Sequence, residues 1–206
     1  MRHAGLIAGA VLTAFAAVGT ITYAVAGDDG ATRTPSAESA DAGFARDMAV
    51  HHQQAVEMSY IVRDRTKNEE VRRLAYDIAQ TQANQRGMML GWLDLWALPK
   101  VSSEPPMTWM GMSGMASGKD GALMPGMATN SEMKKLGELS GKQAEVFYLQ
   151  LMTDHHKGGV HMARGCVAKC TVGVEKRLAQ GMVEAQQSEI ALMADMLKER
   201  GAEPRS

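Results

Sequence analysis

Two copies of one short motif, each with a His-His pair, constrain the fold of this chain more than any other feature of its sequence. The first copy spans residues 48–58 and reads MAVHHQQAVEM, and the second spans residues 152–162 and reads MTDHHKGGVHM. They align without a gap at an offset of 104 residues, and five of the six histidines lie in them. The same register continues downstream, where Gln82 aligns with Gln186 and Met89 with Met193. This long-range register indicates an internal duplication.

Helical periodicity places both motifs on long helices. Around the first copy, apolar and His positions recur at alternating spacings of three and four residues, which predicts a helix over residues 40–65. Asn68 followed by Glu69 and Glu70 predicts the start of a second helix, which ends before Pro99. The second half of the sequence predicts a short helix over residues 131–139 and two long helices over residues 142–168 and 174–200. Gly201 lies just beyond the last helix, where glycine commonly ends one.

These elements predict an all-α fold built from two duplicated helical hairpins. Each hairpin joins a His/Met helix to a Gln/Met helix through a short turn, so its two helices are antiparallel neighbours. The hairpins span residues 40–98 and 142–201, and their simplest pairing is a four-helix bundle over residues 40–201. The connecting segment, residues 99–129, is rich in Met, Gly, Ser and Pro, and we interpret it as a loop whose length suggests a function.

The N-terminal segment is predicted to direct the chain out of the cytoplasm. Residues 6–26 form an apolar run that ends in a small-x-small cleavage pattern and is also long enough to span a bilayer. A cleaved signal peptide and an uncleaved anchor in the cytoplasmic membrane therefore both stay open for residues 1–26. Both place the remainder in an extracytoplasmic position, behind a flexible tether over residues 27–39.

Composition narrows the classes of partner. The formal net charge is −1, and the chain contains no run of basic residues. Nucleic-acid binding is therefore not expected, since it depends on clustered Lys and Arg. The expected partners are a metal ion and, if the anchor is retained, the membrane. A homo-oligomer stays open, and the sequence identifies no protein partner.

The chemistry of the repeated motif points to a soft or borderline metal. Imidazole nitrogen together with thioether sulfur matches copper best, because Cu(I) accepts both and Cu(II) favours imidazole. Zinc more usually recruits Cys or carboxylate beside His. Adjacent helical residues diverge by about 100°, so one His of each pair is expected to face the bundle axis and the other its edge. Asp47, one turn before His51, is the candidate partner to orient that imidazole.

Two cysteines lie one helical turn apart near the end of the third long helix. Outside the cytoplasm, Cys166 and Cys170 favour a disulfide. The alternative is that they are soft metal ligands together with His161 or Met162. His161 is a candidate ligand in its own right. The loop methionines are weaker candidates, and three roles stay open for them: weak binding of Cu(I), cover for the end of the bundle, or no role.

The doubled Met-x-x-His-His-x-x-Ala/Gly-Val-x-Met pattern resembles the bacterial family known as domain of unknown function 305. The resemblance covers residues 40–201 and includes the stretch AQQSEI at 185–190. It implies a ferritin-like four-helix bundle, exported or membrane-anchored, with copper bound in some members. The ligands it implies are Met48, His51, His52, Met58, Met152, His155, His156 and Met162. The two copies differ where His161 aligns with Glu57 and Glu189 with Gln85, so the two half-sites are expected to differ in affinity or metal.

The function predicted from these features is copper buffering, delivery or tolerance by an exported metal-binding protein. One alternative is a membrane-tethered interaction module that holds no metal and binds another protein through its Met-rich surfaces. The other is a redox enzyme that uses a bound metal. The sequence contains no clear nucleophile, acid/base pair or cofactor fingerprint, so a non-enzymatic role is expected.

Overall fold

The computed structural model describes residues 34–112 and 119–205. Within these ranges the secondary structure is entirely helical, and the predicted all-α bundle is confirmed. The helices are α1 (Ala40–Arg65), α2 (Glu69–Leu95), α3 (Asn130–Glu138), α4 (Gly141–Lys169) and α5 (Gly173–Glu199). The predicted N-terminal segment and most of the tether lie outside the described residues, so the predicted division into domains stays a prediction.

The helix ends follow local chemistry. The side chains of Ser39 and Asn68 accept hydrogen bonds from the first free amides of α1 and α2, each at 3.1 Å. Thr129 and Glu132 form a capping box that starts α3. Gly201 follows α5 with a φ of 67°, a left-handed conformation that glycine adopts at little cost. These contacts explain where α1, α2 and α3 begin and where α5 ends.

The two hairpins pack through their His-bearing helices. α1 packs on α2, α4 packs on α5, and α1 and α4 lie against each other in the centre. The central pair is antiparallel: Met48 shares a cluster with Met162 at one end, and Met58 shares a cluster with Met152 at the other. The two copies of the motif thus stand in an approximate twofold relation, one in each hairpin.

The core consists of two apolar clusters separated by a polar layer. One cluster contains Phe44 and Met162, and the other contains Tyr148 and Met58. Between them, near the middle of all four long helices, lie the buried His pairs of α1 and α4 with Gln82 of α2 and Gln186 of α5. Burial of apolar surface in the two flanking clusters drives the packing of the four long helices. Because the polar layer lies between these clusters, it is buried with them.

The Met-rich connection is pinned to the bundle at two points. The Asp47 carboxylate accepts hydrogen bonds from the Met107 amide at 2.7 Å and the Trp109 indole at 2.9 Å. The Gln54 amide exchanges two hydrogen bonds with the backbone of Ala128, at 2.7 and 2.8 Å. The described parts of this segment contain two short 3-10 turns and contribute buried methionines to the core, so they are packed rather than loose.

Among the described residues, no helix combines the length and the apolarity needed to cross a membrane.

Candidate metal centre

The inner histidines of the two motifs meet at the contact between α1 and α4. The rings of His51 and His155 stack with centroids 3.7 Å apart and an interplanar angle of 31°. The His155 Nε2 lies 2.9 Å from the backbone carbonyl oxygen of His51. Both side chains are fully buried. The duplication thus brings two imidazoles from distant parts of the chain into direct contact at the centre of the bundle.

The outer histidines turn toward the second helix of their own hairpins. His52 Nε2 lies 2.8 Å from Oε1 of Gln85 on α2, and His156 Nε2 lies 2.7 Å from Oε2 of Glu189 on α5. Neither histidine has any exposed surface. The expectation that one His of each pair would lie at the bundle edge was therefore wrong. The second helix of each hairpin covers that side and supplies a polar partner.

These partners determine which ring nitrogen carries the proton. A carbonyl, amide or carboxylate oxygen only accepts, so His52, His155 and His156 each donate from Nε2. In the neutral ring, Nδ1 then carries the lone pair. In all three histidines Nδ1 is buried without a hydrogen-bond partner among the described residues. Donation to a carbonyl or carboxylate from one nitrogen is how proteins usually orient a metal-binding imidazole.

Burial keeps the imidazoles of His51, His52 and His155 neutral. Loss of hydration lowers the pKa of His51 to about 3, with the neighbouring His52 adding to the effect. Burial likewise lowers the pKa of His52 to about 4, although the bond to Gln85 opposes the shift. The pKa of His155 is also well below its ordinary value because of burial and the three other histidines. Neutral imidazole is the form that binds metal, so protons compete weakly for these nitrogens.

Methionine sulfur flanks the histidine layer on both sides. Met48 and Met162 lie in the cluster on one side, and Met58 and Met152 lie in the cluster on the other. All four are fully buried. The structure therefore divides the eight predicted ligands into a central histidine layer and two methionine pairs, each pair contributed by both motifs.

The histidines do not form a ready-made cluster of three. Within the described residues, no three of these histidines are placed to share one metal ion. Imidazole nitrogen and thioether sulfur are both donors that soft Cu(I) accepts. Gly159 of α4 accommodates the side chain of Gln186, whose Oε1 would lie 2.4 Å from an added Cβ.

The remaining predicted site residues lie away from this layer. His161 is exposed, and its Nε2 lies 3.4 Å from Sδ of Met112 in the connecting segment. Cys166 and Cys170 are joined in a disulfide at the end of α4. Asp47 does not orient His51, because both of its contacts go to the connecting segment, so that expectation was wrong. Met115 lies outside the described residues.

The family profile described as "Domain of unknown function (DUF305)" matches residues 41–197. The chain belongs to the DUF305 family. A comparison with curated proteins finds no match.

Solved structures include close relatives of this DUF305 chain. A DUF305 protein from Streptomyces coelicolor, described as a candidate secreted protein, is 78% identical with a TM-score of 0.78, over 83% of this chain and 99% of that one. A DUF305 fragment from Deinococcus radiodurans is 29% identical with a TM-score of 0.63, over 78% and 96% of the two chains. CopM in its Cu(II)-bound form is 21% identical with a TM-score of 0.61, over 78% and 97%, and therefore shares the fold.

Gln85 and Glu189 are the site residues of this DUF305 chain that sequence reasoning missed. Their alignment was visible, but their contact with histidine was not. The signal was the spacing: each lies 33 residues after the second His of its motif, at 52 to 85 and 156 to 189. A periodic helix pattern shows that both face inward, but only the packing of α2 on α1 and α5 on α4 shows which imidazole each one meets.

Proposed function

We propose that this protein is an exported copper-binding protein whose histidine layer and flanking methionines hold the ion. The observation that carries the proposal is the set of buried Nδ1 atoms in His52, His155 and His156. Each is a lone pair without a partner, oriented by a hydrogen bond on the opposite side of its ring. A buried polar atom without a partner costs about 1–3 kcal/mol, and a coordinated ion removes that cost.

Copper fits the donor set better than other common metals. The available donors are neutral imidazole nitrogens and thioether sulfurs, and soft Cu(I) accepts both. Carboxylate is represented in the layer only by Glu189, which is already bonded to His156. The likeness of fold to CopM, which has been solved in a Cu(II)-bound form, supports the same choice.

The proposed role is to buffer, deliver or confer tolerance to copper outside the cytoplasm. The description of the Streptomyces coelicolor relative as a candidate secreted protein supports export. The apolar run at residues 6–26 is proposed to serve as the signal or anchor, and it lies outside the described residues. Copper is then cargo rather than a catalyst.

His161 and Met112 are proposed to form an outer copper site. The pair lies at the surface, with the imidazole nitrogen and thioether sulfur 3.4 Å apart. Two donors without burial hold copper more weakly than the inner layer. Such a site would load before ions reach the interior, and it is present only in the second half of the duplication.

The decisive experiment is a copper titration of the metal-free protein against competing chelators, with Cu(I) and Cu(II) measured separately and zinc as the control metal. We expect tight, selective binding of copper at a small whole-number ratio. The test variant combines His51→Phe with His155→Phe, which keeps stacked aromatic rings but removes their nitrogens. Its expected loss of copper affinity is at least about 100-fold.

The matched control is Tyr148→Phe, which removes an equally buried polar contact, the 3.1 Å bond between Tyr148 and Ser59, in the apolar cluster on one side of the layer. It should bind copper as the unaltered protein does. Unchanged affinity and stoichiometry in a helical His51→Phe, His155→Phe double variant would refute the proposal. Absence of copper binding in the unaltered protein would favour the interaction module instead.

The difference between the two halves provides a second test. Glu189→Gln makes the second half resemble the first, and Gln85→Glu makes the first resemble the second. A carboxylate partner raises the basicity of its imidazole. Glu189→Gln should therefore weaken copper binding by about tenfold, and Gln85→Glu should strengthen it. Equal affinities in the two variants would show that His52 and His156 are not ligands.

A further inference from the structure

A second cluster of ligand atoms lies at the end of the bundle where α4 passes into α5. Cys166 is in the last turns of α4, Cys170 follows its final residue, and Glu175 is in the first turn of α5. One ligand atom from each of these residues lies within 4.8 Å of the others, and all three residues are buried. The two sulfurs are bonded to each other in this structure.

The Glu175 carboxyl lies buried beside the carboxylate of Asp41. Its side chain has no exposed surface, and in its protonated form it donates a hydrogen bond to Asp41. Burial, and then the negative charge of nearby Asp41, raise the pKa of Glu175 to about 9. A cation bound beside Glu175 would take the place of the proton that it shares with Asp41.

Asp41 holds the surrounding backbone in place independently of the cysteines. Its carboxylate accepts hydrogen bonds from the amides of Thr171 and Val172, at 2.8 and 2.7 Å, and from the Thr171 hydroxyl at 3.1 Å. These bonds fix the segment between Cys170 and Glu175 to the start of α1. The geometry of the cluster therefore does not depend on the bond between the sulfurs alone.

We propose that the reduced Cys166–Cys170 pair, together with Glu175, forms a buried site for one d10 cation, Zn²⁺ or Cu(I). A dithiol reductant creates the site by reducing the disulfide. Its two thiols give two electrons and two protons to the Cys166–Cys170 bond, which leaves both cysteines as thiols, and the reductant itself becomes a disulfide. Binding of the cation to both sulfurs and to the Glu175 carboxyl then releases the two thiol protons and the proton of that carboxyl. The oxidised pair has no thiolate to offer, so the redox state of the cysteines decides whether the site exists.

Two thiolates and a carboxylate are a donor set different from the histidine layer. Zn²⁺ commonly combines thiolate with oxygen donors, and Cu(I) binds thiolate strongly. The site also depends on different helices, at the junction of α4 with α5 rather than the contact of α1 with α4. This inference therefore stands or falls apart from the proposed function.

The test uses the full chain produced under reducing, metal-free conditions, with both thiols counted by a thiol reagent and helicity followed by circular dichroism. Cd²⁺ is the spectroscopic probe, because charge transfer from thiolate to metal reports sulfur ligands and is silent for His and Met. Zn²⁺ and Cu(I) are then titrated in competition with it. We expect one Cd²⁺ per reduced chain with a charge-transfer band, and no band from the oxidised chain.

Variants distinguish this site from the histidine layer and from cation binding by the two thiols alone. Cys166→Ser should abolish the band, and Glu175→Gln should weaken Cd²⁺ binding by about tenfold or more. Glu184→Gln, at an exposed acid on the same helix, is the matched control and should change nothing. The His51→Phe, His155→Phe variant should keep the band, even if it loses copper.

Three results would overturn the proposal. The first is a folded, reduced chain with two free thiols and no charge-transfer band. The second is equal Cd²⁺ affinity in the Glu175→Gln and Glu184→Gln variants, which would reduce the site to two thiols. The third is loss of helicity on reduction, since the site requires α4 and α5 in place. Displacement of Cd²⁺ by Zn²⁺ or by Cu(I) supports the site and identifies the preferred cation.

Discussion

Acid should destabilise the metal-free protein through the buried histidines, and His52 allows the effect to be isolated. Its pKa is about 4 in the folded state, against an ordinary value of 6.5. Because the folded-state pKa is the lower one, the unfolded chain takes up the proton first. The contribution of His52 to stability is therefore complete above pH 6.5 and is lost as the pH falls toward 4.

The size of the effect follows from the two pKa values. Each pH unit between them is worth about 1.4 kcal/mol, so at pH 4.5 the loss from His52 is about 2.5 kcal/mol. That is a large share of the stability of an ordinary domain, which is about 5–15 kcal/mol. Other groups also titrate over this range, so the loss must be taken as a difference between variants.

His52→Gln is the appropriate change because a Gln amide can still donate to Gln85 but cannot titrate. Free energies of unfolding would be measured by urea denaturation at pH 7.5 and 4.5 with a chelator present. The variant should lose about 2.5 kcal/mol less than the unaltered protein between these pH values. His161→Gln, at an exposed histidine, is the control and should behave like the unaltered protein. If His52→Gln loses as much stability in acid as the unaltered protein does, burial does not keep this imidazole neutral and the reasoning is refuted.

Three further predictions concern stability. Gly158→Ala should lower the free energy of unfolding, measured by urea denaturation, by about 2 kcal/mol or more, because the added Cβ would lie 2.0 Å from the Pro125 carbonyl oxygen. Gly181→Ala, whose Cβ would have nothing within 4 Å, should raise it by about 0.5–1 kcal/mol. Equal effects of the two would contradict this. Glu175→Gln under non-reducing conditions should remove part of the stability that the unaltered protein loses as the pH rises from 4 to 8. A raised carboxyl pKa contributes stability fully below the unfolded value, and this contribution is lost as the pH rises toward 9. An unchanged pH profile would count against the prediction. Thr129→Ala removes the capping box of α3. It should therefore lower the free energy of unfolding by about 1 kcal/mol and speed amide hydrogen exchange in α3. Unaltered exchange would disprove the role of the cap.

The approximate twofold relation between the hairpins explains the order of the site. Each motif supplies one inner and one outer histidine, and each second helix supplies one polar partner for the outer one. The departures from symmetry are chemical rather than geometric. Glu189 replaces Gln85 as the partner, and His161 adds a surface imidazole that the first half lacks. If copper binds, these departures are where the two halves should differ in affinity.

Local sequence was sufficient for the helices and for the class of fold. The apolar spacing, the cap at Asn68 and the glycine at 201 depend on near neighbours along the chain, so their consequences could be predicted. The long apolar face of each predicted helix indicated that this face is buried. Because the motif is repeated, the two hairpins were expected to bury these faces in the same way. The identity of the motif residues likewise indicated a soft-metal donor set before any contact was known.

Tertiary packing decided everything that depends on residues far apart in the chain. Helical geometry shows that His51 and His52 diverge, but only the antiparallel contact of α1 with α4 stacks His51 on His155, and only the packing of α2 on α1 buries His52 against Gln85. The same is true of Asp47, which was expected to orient His51 and instead binds the Met-rich segment. Burial, unlike helix propensity, is a property of the whole assembly. It lowers the pKa of His52 and His155 and leaves the Nδ1 lone pair of each without a partner among the described residues. No window of local sequence contains that information.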